Sequence, residues 1–265
     1  MTQCLNPNCL KSNPPETIFC QSCGKKLILV EDLGNGIELE MVYIPGGTFF
    51  MGSPDNEEEK KENETPQHEV TLPPFYMSKY PITQEQYQVM MDKNPSIFRG
   101  KNRPVENVSW YDAIEFCQNL STKTGKIYSL PSESQWEYAS RAGTTTSSSE
   151  LVNDDGNYPD AYVPKKEFRK ETTDVGSFLP NTFGLYDMQG NVWEWCQDIW
   201  HDNYDGAPTD GSAWETQGDI STRVLRGGSW YYISLYCRYA KRSYDYVDFH
   251  SNVMGFRVVS FVSRS

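Results

Sequence analysis

Four cysteines near the N-terminus, Cys4, Cys9, Cys20 and Cys23, have the spacing of a zinc site. The second pair is a Cys-x-x-Cys followed by Gly24, whose flexibility lets backbone amides turn towards the thiolates. The first pair has four intervening residues, which is within the range for zinc. Because so short a segment cannot bury a core of its own, a bound Zn²⁺ would supply its folding energy. The alternative is a set of reducible thiols on a floppy tail.

A second set of possible metal ligands occurs in FGLYDMQGNVWEW, residues 183–195. Asp187 and Glu194 lie on either side of Gly190, and carboxylate oxygens with turn carbonyls are the ligands that Ca²⁺ takes. Core packing is the simpler interpretation of Trp193 and Trp195, which alternate along the chain. The segment therefore leaves open a calcium site and a purely structural strand.

The remaining thiols and imidazoles show no catalytic pattern. Seven cysteines are an odd number, which suits four metal ligands and three free thiols better than a disulfide framework. Cys117 has the neighbours of a small buried hydrophobic residue. The three histidines, His68, His201 and His250, are far apart in sequence and have no ligand spacing. We expect the histidines to be structural or incidental.

Length and charge limit the class of protein. The chain has 265 residues and a net charge of −12, which allow one large domain or one domain with a small module. This acidity argues against nucleic acid or an anionic membrane as the main partner. No stretch has the length of a membrane span and the N-terminus has no apolar signal region, so we expect a cytoplasmic protein. The charged run at residues 55–64 predicts a mobile surface loop.

Three capping boxes predict three helices. They are Thr83-x-x-Gln86, Ser109-x-x-Asp112 and Ser132-x-x-Gln135. The second helix should end near Gly125. Strands are predicted within residues 41–53 on both sides of a Pro-Gly-Gly turn, and at residues 68–72 and 75–80. Residues 143–173 are polar and low in aliphatic side chains, which predicts a long irregular loop.

Residues 223–259 have two regular ends and an unusual middle. Arg226-Gly-Gly-Ser-Trp230 indicates a strand that runs into a tight turn, and residues 255–259 indicate a closing strand. The middle, residues 231–253, holds six of the 17 tyrosines and follows neither a strand nor a helix period. Tyrosine with serine, asparagine and aspartate is the composition of a binding surface. Half-buried core is the other interpretation.

Seven separated blocks resemble, in the same order, the formylglycine-generating, sulfatase-modifying family. They are IPGGTFFMGS, PQHEV…FYMSKYPITQEQY, PVENVSWYDAIEFC, LPSESQWEYASRAG, FGLYDMQGNVWEW, RVLRGGSW and GFRVV, from about residue 38 to the end. The resemblance implies an α+β fold, a loop-rich variant of the C-type lectin fold with a small antiparallel sheet and two main helices. It also implies a Ca²⁺ ion held by Asp187, Glu194 and the carbonyls of Gly190 and Val192. At the N-terminus, FCQSCGKKL resembles the zinc ribbons of bacterial signalling proteins, which implies an adaptor role.

The chain departs from the enzymes of the family. The oxidising members bind copper through two cysteines just after the GGSW-like turn, and paired thiolates suit Cu(I). Here that region holds Tyr231, Tyr232 and only Cys237. The iron-dependent sulfoxide synthases need a histidine cluster, which the three dispersed histidines do not provide. We therefore expect a protein without enzymatic activity.

The C-terminal region is similar to another branch, the variable proteins diversified by retroelements. Trp230, Arg238, Ala240, Arg242 and residues 255–257 match the GGSW…R.A.R…GFR frame of that branch. Between the frame residues, randomised asparagine codons cannot yield Glu, Gln, Met, Trp or Lys, and residues 231–253 obey this rule apart from Lys241. The resemblance implies a ligand surface on an unchanging scaffold.

These observations predict a zinc-ribbon module at residues 1–33 and a lectin-type domain at residues 34–265. The predicted function is non-catalytic binding of a protein or other ligand. The predicted contact residues are Tyr231, Tyr232, Ile233, Ser234, Leu235, Tyr236, Tyr239, Ser243, Tyr244, Asp245, Tyr246, Val247, Phe249, His250, Ser251, Asn252 and Val253. The alternatives are an oxidase that uses Cys237 and a signalling adaptor that acts through the ribbon.

Overall fold

The structure is a computed structural model that describes residues 2–3, 12–13, 19–24, 28–57, 59–146, 170–232 and 234–261. The strands are β1 (Thr2–Gln3), β2 (Ser12–Asn13), β3 (Ile28–Gly34), β4 (Ile37–Ile44), β5 (Gly47–Met51), β6 (His68–Leu72), β7 (Phe75–Ser78), β8 (Tyr128–Ser129), β9 (Trp193–Trp200), β10 (Asp219–Arg226), β11 (Arg242–Tyr246), β12 (Met254–Gly255) and β13 (Val259–Phe261). The α-helices are α1 (Gln84–Met91), α2 (Trp110–Thr124) and α3 (Glu133–Arg141).

Each α-helix begins at one of the predicted capping boxes. In α1, the Thr83 hydroxyl accepts the N–H of Gln86, and the Gln86 side chain returns to the Thr83 N–H. The boxes at the starts of α2 and α3 have the same reciprocal bonds. Helix α2 ends at Gly125, which adopts the left-handed conformation that favours glycine. The three predicted helices are confirmed.

Two sheets carry most of the regular structure. One has the strand order β3-β4-β7-β13-β8 and is antiparallel throughout. The other has the order β11-β10-β9-β12, with β12 parallel to β9 and β11 at an edge. Strands β5 and β6 form a separate hairpin. Two clusters of buried side chains fill the space between these elements, one centred on α2 and one that includes Trp136 of α3.

The C-terminal segment differs from its prediction in two ways. Residues 231–253 contain a 3₁₀ helix at Ser234–Cys237 and the strand β11, where the sequence predicted no regular structure. The predicted closing strand is instead two short strands in different sheets, β12 beside β9 and β13 beside β7. Phe256 and Arg257 lie between these two strands and are fully buried. At these residues the chain passes from one sheet to the other.

The acidic run at residues 55–64 also differs from the expected mobile loop. It contains a 3₁₀ helix at Glu62–Glu64, and Glu64 is fully buried. A buried arginine, Arg238, draws it against the body of the domain. Of the predicted irregular loop at 143–173, residues 147–169 lie outside the described residues. Among the described helices, none combines the length and apolar character needed to cross a membrane.

Candidate ligand-binding surface

The surface segment starts at a tight turn after β10. Gly228 has φ +75°, and a Cβ atom there would lie 2.5 Å from the Sγ atom of Cys237. Only glycine therefore lets the chain reverse against Cys237. Two residues on, the Trp230 indole N–H donates to the carbonyl of Asn252 at 3.0 Å, and its ring contacts Phe98 edge to face. These contacts join the two ends of the segment to each other and fix Trp230 against Phe98.

Arg226 holds the middle of the segment by its backbone. Its guanidinium donates to three successive carbonyls, those of Tyr239 at 2.9 Å, Ala240 at 2.9 Å and Lys241 at 2.7 Å. The same group pairs with Glu137 of α3, and both side chains are fully buried. A planar guanidinium with five N–H donors suits this arrangement.

Two further arginines turn inward from the segment itself. Arg238 bonds both carboxylate oxygens of Glu64 at 2.9 Å. Arg242 bonds Glu133 through two N–H groups, at 2.6 and 2.9 Å, and its guanidinium lies over the ring of Tyr204. The sequence matched Arg238 and Arg242 to the frame, and we call these two residues together with Arg226 the frame arginines. It missed their carboxylate partners, because Glu64 and Glu133 lie among polar residues and only Glu137 lies between two aromatic residues, Trp136 and Tyr138.

The other side of the segment faces solvent. We call the five large, exposed side chains of this segment the ligand surface: Tyr231 (53% exposed), Tyr236 (39%), Tyr244 (49%), Tyr246 (58%) and Phe249 (45%). Tyr232 is half-buried against Trp193, and its ring also contacts Tyr231 and Tyr236. Together they form a continuous aromatic patch at the 3₁₀ helix and exposed rings along the edge strand β11.

Nine further predicted contact residues divide into three groups. Ser243, Asp245, Ser251, Asn252 and Val253 are half-buried, and His250 is exposed. His250 bonds Asp112, the third residue of α2, at 3.0 Å. Ile233 and the side chains of Ser234 and Leu235 lie outside the described residues.

Two predicted contact residues are buried, which corrects the prediction. Tyr239 is 3% exposed and lies beneath the guanidinium of Arg141. Val247 is 8% exposed, joins the core around α2, and donates its N–H to the carbonyl of Ser221. In each case the backbone hydrogen bonds of the segment turn the side chain inward. Tyr239 and Val247 therefore belong to the scaffold beneath the ligand surface.

Cys237 does not have the environment of a reactive thiol. It is buried, and burial raises its pKa to about 12, so the nucleophilic thiolate is scarce at neutral pH. The neighbouring surface tyrosines supply no second thiolate for Cu(I). Cys117 and Cys196 are buried as well, as expected for small core residues.

The predicted calcium ligands differ in how well they suit a cation. Asp187 is buried, and its Oδ1 atom has no hydrogen-bond partner among the described residues. Burial raises its pKa to about 6, although the Gly176 N–H and the charge of Arg257 act in the opposite direction. Glu194, in contrast, already pairs with Arg257 at 2.6 and 2.7 Å and accepts the Trp136 indole N–H at 2.6 Å. Asp187 therefore suits a cation, and Glu194 is already neutralised.

Only half of the predicted zinc ligands can be placed, because Cys4 and Cys9 lie outside the described residues. Cys20 is buried and Cys23 exposed. The Gly24 N–H donates to the Cys20 carbonyl at 2.8 Å, and the Ser22 N–H reaches the Cys20 sulfur at 3.4 Å. This turn therefore has one amide, that of Ser22, directed at the Cys20 sulfur, as a Cys-x-x-Cys knuckle would have.

The fold and these blocks define the family. The chain belongs to the Sulfatase-modifying factor enzyme 1-like domain family, whose model matches residues 34–262. Its fold is the C-type lectin fold of the formylglycine-generating type, with three α-helices among small, mainly antiparallel sheets within the described residues.

The individual proteins to which the chain is similar include an enzyme and a variable protein. The chain is 28% identical over 285 residues to the formylglycine-generating enzyme of Thermomonospora curvata, covering 82% of this chain and 92% of that protein. Among solved structures, PvdO from Pseudomonas aeruginosa has 31% identity and a TM-score of 0.75, covering 90% of this chain and 100% of that one. Treponema denticola variable protein 1 has 26% identity and a TM-score of 0.77, with the same coverage. The chain spans 38% of the length of another relative, the Chlamydia trachomatis protein kinase Pkn1.

Proposed function

We propose that this chain is a non-catalytic ligand-binding protein whose ligand surface tolerates changes of side chain. The division of residues 231–253 into an inner and an outer set supports this proposal. The inner set is buried and includes Cys237, Arg238, Ala240 and Arg242, whereas the outer set is the ligand surface. Large aromatic side chains on a fixed backbone are suited to binding. The fold similarity to variable protein 1 supports the same function.

A five-site variant tests whether the ligand surface is independent of folding. All five ligand-surface residues are changed to serine, and the melting temperature is measured. We expect a change of only a few degrees, because exposed substitutions away from caps and buried networks alter stability little. The matched control is Tyr239→Ser in the same segment, where loss of a buried ring should cost about 3–5 kcal/mol. A five-site variant that unfolds would contradict the proposal.

A displayed library tests binding itself. The five ligand-surface positions are randomised, and the library is selected against hen egg-white lysozyme as an arbitrary target. We expect folded binders from this library. A library of equal size at Tyr239, Val247 and Cys237 should give none, since those side chains are interior. Failure of the surface library to yield any binder would count against the proposed function.

The enzyme relatives favour one alternative, a copper-dependent oxidase that uses Cys237. Oxygen uptake is measured with Cu(I) and a cysteine-containing peptide, in the wild-type protein and in Cys237→Ala. We expect no turnover in either, because a single buried thiol with a raised pKa cannot supply paired thiolates. Turnover that disappears in Cys237→Ala would establish the oxidase instead.

We also propose two metal ions. Zn²⁺ would be held by Cys4, Cys9, Cys20 and Cys23, in a reducing compartment such as the cytoplasm that keeps the thiols available.

Ca²⁺ would contact the unpartnered oxygen of Asp187, with carbonyls of Gly190 and Val192 nearby in sequence. Added Ca²⁺ should then raise the melting temperature of the wild-type protein and not that of Asp187→Asn. Equal shifts in both proteins would rule out calcium at Asp187.

A further inference from the structure

A cavity of about 460 Å³ lies at the C-terminal end of α3. Its described wall comes from residues within 140–146 and 178–189 and from Tyr239, and none of the five ligand-surface residues contributes to it. The volume is within the range of about 300–1,000 Å³ that is typical of small-molecule sites. Because Tyr239 is a buried residue of segment 231–253, the cavity lies on the inner side of that segment.

Two buried oxygens in the wall lack a hydrogen-bond partner. Ser140 Oγ and Asp187 Oδ1 are both buried, and neither has a partner among the described residues. Ser140 is fully buried and Asp187 is 8% exposed. The second carboxylate oxygen of Asp187 accepts the Gly176 N–H at 2.7 Å. Since buried polar atoms are nearly always satisfied, Asp187 Oδ1 requires a hydrogen-bond donor, and Ser140 offers a second polar contact in the same cavity.

The charges around Asp187 favour a cation as that donor. Among the described residues, no arginine, lysine or histidine forms an ion pair with Asp187, because the nearby Arg257 bonds Glu194 at 2.6 and 2.7 Å. Arg141, which belongs to the wall, is already paired with Glu137 at 2.8 Å. The end of α3 is part of the same wall, and a helix dipole places partial negative charge there. An anionic ligand would therefore be repelled.

Much of the remaining wall is apolar. Leu185 and Met188 are buried, and Leu179 is 73% exposed, as expected of a side chain near the opening of the cavity. A Ca²⁺ ion takes about six to eight oxygen ligands and would use only the polar end of this space. An ammonium group on an apolar body would use both the unpartnered oxygen and the apolar wall.

We propose that this cavity binds a small organic amine, whose ammonium group donates to Asp187 and whose apolar part packs against Leu185 and Met188. This site is separate from the ligand surface and is not part of the proposed function. Ca²⁺, which we propose for the same oxygen of Asp187, and the amine would exclude each other.

The test uses phenethylamine and phenethyl alcohol, which share an apolar body and differ in the charged group. Binding to the full chain is measured by ligand-observed NMR at neutral pH, with EDTA present to remove Ca²⁺. We expect the amine to bind about tenfold more tightly than the alcohol. Asp187→Asn should bind both probes about equally, because the amide keeps an acceptor and loses the charge. Asparagine also tolerates the left-handed backbone of this position, which has φ +55°.

A second variant, Leu179→Ser, tests the apolar part of the site. Its side chain is exposed, so folding should be unaffected, and both probes should bind more weakly by a similar factor. Asp205→Asn removes an exposed carboxylate elsewhere and should keep the preference for the amine. The variant with serine at all five ligand-surface positions should bind the amine as the wild-type protein does. All variants are first shown to melt cooperatively.

Four results would each overturn the amine site. They are equal binding of the two probes to the wild-type protein, no amine binding up to millimolar concentration, an unchanged preference in Asp187→Asn, and unchanged affinities in Leu179→Ser. The second result would mean that the cavity holds water only. Loss of amine binding in the five-site variant would place the amine on the ligand surface instead and would also overturn this proposal, whereas the proposed function would stand.

Discussion

Buried arginines are the residues on which this scaffold depends. Arg226, Arg238, Arg242 and Arg257 are each at most 5% exposed, and each has a glutamate partner. A buried ion pair adds little stability over an apolar pair, but removal of one partner leaves an uncompensated charge. Such pairs should therefore disfavour any packing that separates one of these arginines from its glutamate.

Arg242→Ala tests this at a single pair. It removes two bonds to Glu133 and the contact with Tyr204, and leaves Arg226 Nε, at 3.7 Å, as the remaining cation beside Glu133. We expect a loss of about 3–5 kcal/mol in the free energy of unfolding, measured by chemical denaturation. The exposed pair of Lys60 and Asp55 provides the control, and Lys60→Ala should cost less than about 1 kcal/mol. Equal losses in the two variants would show that burial of the pair has no consequence.

Glu106 should make stability depend on pH. It accepts the N–H groups of Ile97 and Phe98, but its Oε2 atom has no partner among the described residues. Burial raises its pKa from 4.5 to about 7. The folded state therefore binds the proton more tightly than the unfolded state. Stability from this group is fully present below pH 4.5 and is lost as the pH rises to about 7.

The measurement is the free energy of unfolding of wild type minus that of Glu106→Gln, from pH 4 to pH 8. The difference should favour the wild-type protein most at the acid end and fall through this window, because glutamine does not titrate. Glu69→Gln removes an exposed carboxylate and is the control for the loss of one negative charge. A difference for Glu106→Gln that does not change with pH would mean that the Glu106 carboxyl has the same pKa in the folded and unfolded states.

Among the elements, those with local signals were predictable and those fixed by distant partners were not. The capping boxes located all three α-helices, since the bonds at a helix start involve residues three apart. Strand β11 was missed because Ser243, Tyr244 and Asp245 show no apolar alternation, and its pairing with β10 determines it. The burial of Tyr239 and Val247 was missed for the same reason, because the residues that they pack against are far away in sequence.

The turn after β10 allows a matched test of backbone strain against contact. Gly228 and Gly36 have nearly the same φ, +75° and +76°, but a Cβ on Gly36 would meet nothing within 4 Å. Gly36→Ala should therefore cost only the left-handed strain, about 1–2 kcal/mol. Gly228→Ala should cost clearly more, because its Cβ would meet Cys237 Sγ and the Tyr236 carbonyl at 2.5 and 2.9 Å. The melting temperatures of the two variants are compared. Equal decreases would mean that the turn at Gly228 relaxes to accommodate the added Cβ atom.

At the scale of the whole molecule, the family domain and the N-terminal cysteines are separate questions. The family model starts at residue 34, and Cys20 belongs to neither hydrophobic cluster of the described residues. The fold could be predicted because its motifs are spread along the domain. The metal content could only be proposed, since it depends on how ligands converge and two of the four cysteines lie outside the described residues.

Zinc removal should therefore leave the domain folded. We expect one Zn²⁺ per chain, lost in the double variant Cys20→Ser with Cys23→Ser, and an unchanged main melting transition. Cys117→Ser is the opposite control: it should keep the zinc and lower the melting temperature, because it places a hydroxyl in the core. A main transition that falls with zinc loss would show that the two parts fold together.

The three carbonyl contacts of Arg226 have an evolutionary consequence. A peptide carbonyl is present whatever amino acid occupies the position, so this anchor cannot detect the identity of residues 239–241. Natural drift or laboratory mutagenesis can change neighbouring residues while the hydrogen bonds from Arg226 to the backbone persist. Substitutions at inward-facing positions should therefore lower folding stability, whereas selection can act on single substitutions at the outward-facing positions.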